Sequence, residues 1–250
     1  HFRKFELTKK NHIYLAEMCK ESGVKYLASV WDLEMLKWID KYLDYYKIGS
    51  GDLTAYPIIK QFAKNGKPII LSTGLSDLRE VKETVEFLQS QNSNYKNKEF
   101  LALLQCTSTY PTIDNEVNLK VIDTLKKETF MTVGYSDHSL GDLALRVAYA
   151  LGAEVMEFHF TDTRANKTFR DHKISLVPEE VKSLIKDIKK TPQELLSLLN
   201  DEKKINVLLG DGKKKPTKGE VETDHVTSFR RAIYSKKHLK AGDLLKKKDL

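Results

Sequence analysis

Six short apolar runs recur along the chain, and each of them ends in polar residues. A stretch of helical periodicity follows each run, so that strand and helix alternate from about residue 24 to residue 190. The runs lack strict apolar and polar alternation, which is typical of parallel strands buried on both faces. They cover residues 26–30, 45–48, 69–71, 100–105, 130–133 and 155–160. This pattern predicts a parallel α/β fold built from consecutive strand–helix units.

Two architectures share this order of elements. In a (β/α)8 TIM barrel the catalytic groups lie at the carboxyl-terminal rim, where all six runs would place polar residues. A doubly wound sheet would instead gather polar residues at a single crevice. Six units are two short of a closed barrel, and the chain begins at His1 rather than at Met. We therefore expect a TIM barrel that lacks its first two strands, with that pair preceding His1.

The pattern changes after residue 190. Thr191-Pro192-Gln193-Glu194 has the form of a capping box with proline at the first helical position, which predicts a short extra helix. Residues 206–225 are rich in Gly, Lys and Thr and are typical of a linker. The run Phe229 to Tyr234 then predicts a strand. We divide the chain into a partial barrel (1–200), a linker (201–226) and the truncated start of a second module (227–250).

The positive charge is confined to the end of the chain. The net charge is +7, but residues 203–250 hold 14 Lys and Arg against 6 Asp and Glu, while the rest holds 28 against 29. A nucleic-acid enzyme more often carries a basic face on its main domain, so we expect no nucleic-acid partner. No apolar run is long enough to span a bilayer, so we expect no membrane partner either.

The two cysteines, Cys19 and Cys106, are too few for a disulfide framework, and neither has metal-type spacing. We therefore expect a cytoplasmic protein. Cys106 ends an apolar run, and no base is visibly placed for it. We interpret it as a small core residue rather than a nucleophile.

Two histidines follow consecutive strands. His138 lies just after the run 130–133, and His159 lies in the run 155–160, two residues after Glu157. Because the carboxyl ends of neighbouring parallel strands meet at one rim, the pair is suited to a metal or an electrophilic site. Two unconnected histidines, each satisfied by its own hydrogen bonds, are the alternative. Glu157 and His159 should point to the same side of their strand.

A second group of residues favours phosphate. Lys47 ends a strand and is followed by Ser50 within a Gly-Ser-Gly turn that leads to Asp52, and Ser72-Thr73-Gly74 repeats the theme on the next strand. A phosphate accepts charge-assisted hydrogen bonds from a lysine and further bonds from exposed backbone amides. Most such glycine turns are structural, so the motif alone is weak.

Taken together, these motifs closely resemble the sialic acid (N-acetylneuraminate) synthase family, which includes legionaminic and pseudaminic acid synthases. Order and spacing match from roughly residue 24 to residue 190. The matching segments are Lys47 to Asp52, Lys67 to Gly74, Cys106 to Thr112, Val133 to His138, Gly152 to Thr161, and Asp171-His172.

The resemblance implies a reaction and a set of residues. The reaction is the condensation of phosphoenolpyruvate with an N-acetylated hexosamine aldehyde, such as N-acetylmannosamine, to give a nonulosonic acid and phosphate. Glu157, Asp52 and Lys47 would be catalytic, and His138 and His159 would bind a divalent metal, usually Mn²⁺. The substrates would be bound by Ser29, Lys47, Ser50, Ser72, Ser108, Tyr110, Ser136 and Asp171.

The resemblance also implies that residues 227–250 begin an antifreeze-like (SAF) domain, which in the family crosses to the partner of a domain-swapped homodimer. Three features depart from the family. Asp52 stands where many members have Glu, Thr168-Phe169-Arg170 stands where Gly-Pro is commoner, and the first two barrel strands are absent. We therefore expect the chain by itself to be inactive.

Two other functions stay open. Lys47 at a strand end could form the Schiff base of a class I aldolase, which needs no metal and gives the histidines no role. A non-catalytic binding module is the second alternative. The sequence does not specify which amino sugar is used.

Overall fold

The computed structural model describes residues 6–246 and Asp249. The five strands in that part of the chain are β1 (Tyr46–Ile48), β2 (Ile69–Ser72), β3 (Leu101–Cys106), β4 (Thr132–Asp137) and β5 (Met156–Phe158). The α-helices are α1 (Lys9–Glu21), α2 (Leu33–Ile39), α3 (Tyr56–Asn65), α4 (Leu78–Gln91), α5 (Asp114–Val117), α6 (Val121–Thr129), α7 (Leu143–Ala150), α8 (Asp171–Ile174), α9 (Pro178–Asp187), α10 (Pro192–Leu198), α11 (Glu202–Leu209), α12 (Lys218–Glu222) and α13 (His225–Ser228). Residues 1–5 of the predicted barrel, and 247, 248 and 250 of the predicted second module, lie outside the described residues.

The strands form one parallel sheet in the order β1-β2-β3-β4-β5. Because the spatial order follows the chain order without reversal, and crossovers of parallel strands share one hand, the connecting helices cover one face. A doubly wound sheet reverses its strand order and covers both faces. The structure therefore confirms the parallel α/β prediction and is a half-barrel. The two missing strands and the antifreeze-like module stay predictions.

The strand predicted over residues 26–30 is wrong. Only one isolated parallel bridge joins Ser29 to Lys47, and no regular strand forms there. Leu27 on this run is 40% exposed, and Val24 just before it is 58% exposed. Among the described residues the run has a neighbour on one side only, so it lacks the second ladder that holds the interior strands.

The two faces of the sheet differ in chemistry. Outward-facing residues such as Tyr46, Leu71, Leu103 and Val133 are fully buried beneath the helices. Burying each such leucine contributes about 1.5–3 kcal/mol. Residues of the opposite parity face the inside of the half-barrel, and towards the carboxyl ends they are small or polar. One of them, Gly134, has no room for a side chain, because a Cβ there would lie 2.1 Å from the carbonyl oxygen of Val155.

The segment predicted as a linker is packed against the barrel. It contains α11 and α12, and Leu208 and Glu220 are each 1% exposed. Its glycines misled the compositional interpretation, because Gly210 and Gly212 have positive φ and make the turn that ends α11. The capping box at Thr191 is confirmed at the start of α10.

The predicted strand from Phe229 to Tyr234 is wrong as well. Ile233 and Tyr234 are 80% and 79% exposed, and within the described part of the chain no strand lies beside them to pair with. None of the described helices combines the length and the apolar character that crossing a membrane requires.

Candidate active site

One cavity of about 710 Å³ opens at the carboxyl-terminal rim of the sheet. It brings together every site residue predicted from the sequence. These are Ser29, Lys47, Ser50, Asp52, Ser72, Ser108, Tyr110, Ser136, His138, Glu157, His159 and Asp171. The prediction that Lys47 and His159 share one rim is confirmed, whereas the individual roles stay predictions.

The register of the sheet explains why these side chains meet. Cys106 pairs with Ser136, and Ser136 pairs with Glu157, so the three lie side by side across β3, β4 and β5. Alternate residues of a strand point to the same face. His138 and His159 therefore continue the faces of Ser136 and Glu157, just past the strand ends.

Lys47 is the buried cation of the cavity, with 8% of its surface exposed. Its Nζ donates to Ser72 Oγ at 2.8 Å and to the carbonyl of Ile48 at 3.4 Å, and it lies 3.4 Å from Glu157 Oε1. Ser136 Oγ donates to the other carboxylate oxygen of Glu157 at 2.7 Å. Two serine hydroxyls, an ammonium group and a carboxylate thus form one connected polar network.

The ends of three neighbouring elements are in close contact at Gly74. Its amide donates to Ser50 Oγ at 3.0 Å. A Cβ at this position would lie 2.4 Å from Ser108 Oγ and 2.8 Å from Ser50 Oγ. Glycine is therefore needed here for close approach, and the hydroxyls of Ser50 and Ser108 are held beside the Lys47 network.

The two histidines face each other, with ring centroids 5.3 Å apart. His138 Nδ1 lies 2.7 Å from the carbonyl oxygen of Thr107, so Nδ1 carries the proton of that hydrogen bond and Nε2 is left for a ligand. His159 Nδ1 lies 3.9 Å from Asp171 Oδ2. The two histidines are therefore neighbours in space, and their role as metal ligands stays a prediction.

The described residues fit a metal only as a two-imidazole site. No group of three or more His, Cys, Asp or Glu side chains in that part of the chain is arranged to hold an ion. One oxygen of Asp137, Oδ1, accepts from both the Tyr135 hydroxyl at 2.9 Å and the Ser139 amide at 2.8 Å. Two neutral nitrogen ligands leave most coordination positions open, which suits an ion that must accept substrate oxygens.

Cys106 has an imidazole beside it, which the sequence did not predict, although the nearer nitrogen carries the proton donated to Thr107. Its Sγ lies 3.8 Å from His138 Nδ1, although the residue is buried as predicted. Burial raises the pKa of the Cys106 thiol, but the adjacent imidazole outweighs burial and lowers it. Burial likewise lowers the pKa of His138, but Cys106 and the Thr107 carbonyl outweigh it and raise the pKa to about 9. Burial and the charge of His138 lower the pKa of His159.

Aromatic and polar groups line the outer part of the cavity. The ring of Tyr110 lies 4.1 Å from that of His138, and the guanidinium of Arg170 lies 4.6 Å above the Tyr110 ring. Asp171 Oδ1 is buried without a hydrogen-bond partner in the described structure, and its nearest cation is Arg170 Nε at 3.4 Å, so it has acceptor capacity left for a ligand. This side of the cavity fits a polyhydroxylated molecule.

The end of the chain contributes residues that the sequence analysis missed. Ser228, Phe229 and Arg231 line the cavity, and Arg231 Nε donates to Asp52 Oδ1 at 2.6 Å. The Phe229 carbonyl lies so close to Gly51 that a Cβ there would be 2.1 Å away. The Gly-Ser-Gly turn thus lines the cavity and also packs closely against the segment that contains Phe229.

Comparison with known proteins agrees with this geometry. The sequence model of the NeuB family matches residues 1–200. The chain belongs to the NeuB family. The resemblance to the sialic, legionaminic and pseudaminic acid synthases is thereby confirmed, since relatives carrying those names match most of the chain.

Among these NeuB relatives, the N,N'-diacetyllegionaminic acid synthase of Campylobacter jejuni is 36% identical, over 99% of this chain and 69% of its own length. The spore coat polysaccharide biosynthesis protein SpsE of Bacillus subtilis has a similar structure, with a TM-score of 0.76, 28% identity, and coverage of 88% of this chain and 60% of that one. The N-acetylneuraminic acid synthetase of Leptospira borgpetersenii gives a TM-score of 0.68 and 29% identity over 91% and 73%. The chain spans about two thirds of the length of the curated relatives it matches.

Proposed function

We propose that the protein condenses phosphoenolpyruvate with the aldehyde form of an N-acetylated hexosamine, releasing phosphate and a nonulosonic acid. The observation that carries the proposal is the shared cavity. A buried ammonium group bordered by serine hydroxyls lies in it beside a pair of imidazoles. An anionic enol donor and a carbonyl acceptor need these two environments next to each other.

Phosphoenolpyruvate fits the inner part of the cavity. Lys47 supplies a charge-assisted hydrogen bond, and Ser50, Ser72 and Ser108 supply hydroxyl donors around it. Ser136 lines the same part of the cavity and gives its own proton to Glu157. Glu157 holds the ammonium of Lys47 and the hydroxyl of Ser136 in place before the substrate arrives. Preorganised donors of this kind stabilise charge that develops during the reaction.

The amino sugar fits the outer part. Asp171 Oδ1 accepts a sugar hydroxyl, and the Tyr110 ring packs against the sugar face. His138 and His159 would hold a divalent ion, for which Mn²⁺ suits a site completed by water and substrate oxygens. When bound, the ion polarises the aldehyde carbonyl towards attack by the enol carbon.

A Schiff base at Lys47 is disfavoured by the same geometry. An amine nucleophile needs a free lone pair. The Nζ of Lys47 instead donates to the Ser72 hydroxyl at 2.8 Å and lies 3.4 Å from the Glu157 carboxylate, partners that suit an ammonium group. Its contact with the Ile48 carbonyl is long, at 3.4 Å, which leaves a donor for the phosphate.

The proposed reaction is tested with protein that includes the two predicted upstream strands, by supplying phosphoenolpyruvate, Mn²⁺ and a series of N-acetylated hexoses and measuring phosphate release. We expect release that depends on the sugar and on its N-acetyl group. Release at the same rate with no sugar would overturn the proposal in favour of a phosphatase. Binding of neither substrate in calorimetry would overturn it in favour of a degenerate, non-catalytic fragment.

Metal affinity should depend on pH well above the range of an ordinary histidine. An ion binds neutral imidazole, so below the pKa of about 9 it must displace a proton from His138. His159, with its lowered pKa, is already neutral at pH 7. We therefore expect Mn²⁺ affinity to rise by about tenfold per pH unit between pH 7 and 9, rather than to change only near pH 6.5. Titration at pH 7, 8 and 9 measures this, and a constant affinity would contradict it.

Cytoplasmic location and a domain-swapped homodimer are part of the same proposal. Ile233, Tyr234 and Leu244 are each about 80% exposed, as expected of a segment that meets another surface in the complete assembly. Molecular mass in solution measures the oligomeric state.

A further inference from the structure

Glu220 is a buried carboxylate that does not line the cavity. It lies in α12, within the segment whose composition predicted a linker, and it is 1% exposed. One of its oxygens, Oε1, accepts from the Ser108 amide at 2.7 Å and from the Leu75 amide at 2.9 Å. The other, Oε2, accepts from the Thr217 amide at 2.8 Å. A single carboxylate oxygen thus joins the ends of β2 and β3.

A buried cation accompanies this carboxylate. Lys214 is 8% exposed, and burial lowers its pKa while the negative charge of Glu220 opposes that shift. Removing a charge from water is costly unless hydrogen bonds and an opposite charge offset it. The buried negative charge of Glu220 is therefore offset by the buried positive charge of Lys214 from the same segment.

The peptide that Glu220 holds has a strained backbone. Leu75 has a φ of 64°, in the left-handed region that residues with a side chain rarely adopt. Its amide donates to Glu220, and its carbonyl accepts from Arg230 Nη2 at 2.6 Å. Arg230 is itself held by both carboxylate oxygens of Glu80, at 2.7 and 2.9 Å. Such a conformation persists only where its surroundings determine it, and here residues 220 and 230 do so from both sides.

The turn containing Leu75 carries the inner wall of the cavity. Leu75 directly follows Gly74, which contacts Ser50 and Ser108, and Ser72 on the same turn accepts from Lys47. A shift of the Leu75 peptide would therefore move Gly74 and Ser72 against Ser108. The distance between the Ser72 and Ser108 hydroxyls therefore depends on Glu220 Oε1, the oxygen that accepts from both the Leu75 amide and the Ser108 amide.

We propose that Glu220 is a positioning residue, which sets the spacing of the Ser72–Leu75 turn and Ser108 and thereby the geometry of the phosphoenolpyruvate site. The identity of the ligand rests on the proposed function. The bonds that Glu220 accepts from the Leu75 and Ser108 amides do not depend on it. This positioning role predicts that α12, through Glu220, controls the affinity for phosphoenolpyruvate and leaves the affinity for the sugar unaffected.

The test compares Glu220→Gln and Glu220→Ala with Glu222→Gln. Glu222 lies on the same helix but is exposed, and its partner is Lys218 at 3.5 Å. We expect Glu220→Ala to raise the KM for phosphoenolpyruvate by at least about tenfold, with the KM for the sugar changed less than about twofold. Glu220→Gln keeps the acceptor oxygen, so its KM for phosphoenolpyruvate should lie between those of Glu220→Ala and the unaltered protein. Glu222→Gln should have the KM values of the unaltered protein.

Amide hydrogen exchange gives a readout that needs no turnover. The Leu75 and Ser108 amides should exchange at least about tenfold faster in Glu220→Gln, where the charge is lost but the shape is kept. Unchanged exchange, or equal effects on both substrates, would overturn the positioning role. If the unaltered protein binds phosphoenolpyruvate and the variants bind it equally well, only this inference fails. If the unaltered protein binds none, the proposed function fails.

Discussion

Replacing His138 or His159 by alanine is expected to lower Mn²⁺ affinity by at least about 100-fold, since even outer partners of a metal ligand contribute 10- to 100-fold. The two rings are the only imidazoles that line the cavity among the described residues. Removing either leaves a single nitrogen ligand, so turnover that depends on the ion should be lost too. Spectroscopic titration of Mn²⁺ measures the affinity directly.

His238→Ala is the matched control, because His238 is exposed and lies outside the cavity. It should bind the metal as the unaltered protein does. Both site variants should keep their thermal unfolding midpoints within a few degrees. Retention of full Mn²⁺ affinity by a folded His138→Ala protein would contradict the assignment.

Lys47→Ala should raise the KM for phosphoenolpyruvate by about 10- to 150-fold, the equivalent of the 1.5–3 kcal/mol of a hydrogen bond to a charged group. The variant loses the ammonium that contacts Ser72 and Glu157, and the carboxylate of Glu157 loses its cation. The KM for the sugar should change much less, because Lys47 lies at the inner end of the cavity. Steady-state kinetics with each substrate varied in turn separates the two effects.

Lys64→Ala serves as the control, since Lys64 is exposed on α3, the α-helix that follows the strand of Lys47. It should leave both KM values unchanged. Equal increases for both substrates in Lys47→Ala would contradict a contact with phosphate. A borohydride-trapped adduct on Lys47 in the unaltered protein would instead establish the Schiff base.

The sequence predicted the barrel face of the site well, because side-chain direction follows strand parity. Ser136 and His138 share one face, Glu157 and His159 share the next, and a parallel register places them side by side. Within the barrel, the strand predicted wrongly, over residues 26–30, is the one with a neighbour on a single side in the described structure. Apolar residues alone did not reveal that its second partner is lacking.

The end of the chain could not be predicted in the same way. Glu220 and Arg230 act across more than 100 residues, on Ser108 and Leu75, and no local periodicity encodes such contacts. Lys-rich composition favoured a linker, although Thr217 and Glu220 already had the spacing of a capping box. The proximity of Cys106 to His138 is likewise a consequence of register between β3 and β4.

The central claim is a metal-assisted condensation, and phosphate release by chelator-treated protein tests it most directly. Protein that includes the two predicted upstream strands is freed of metal and supplied with phosphoenolpyruvate and the preferred amino sugar, without and then with Mn²⁺. We expect no sugar-dependent phosphate release in the first case and restoration in the second. A full rate in the metal-free protein would contradict the account.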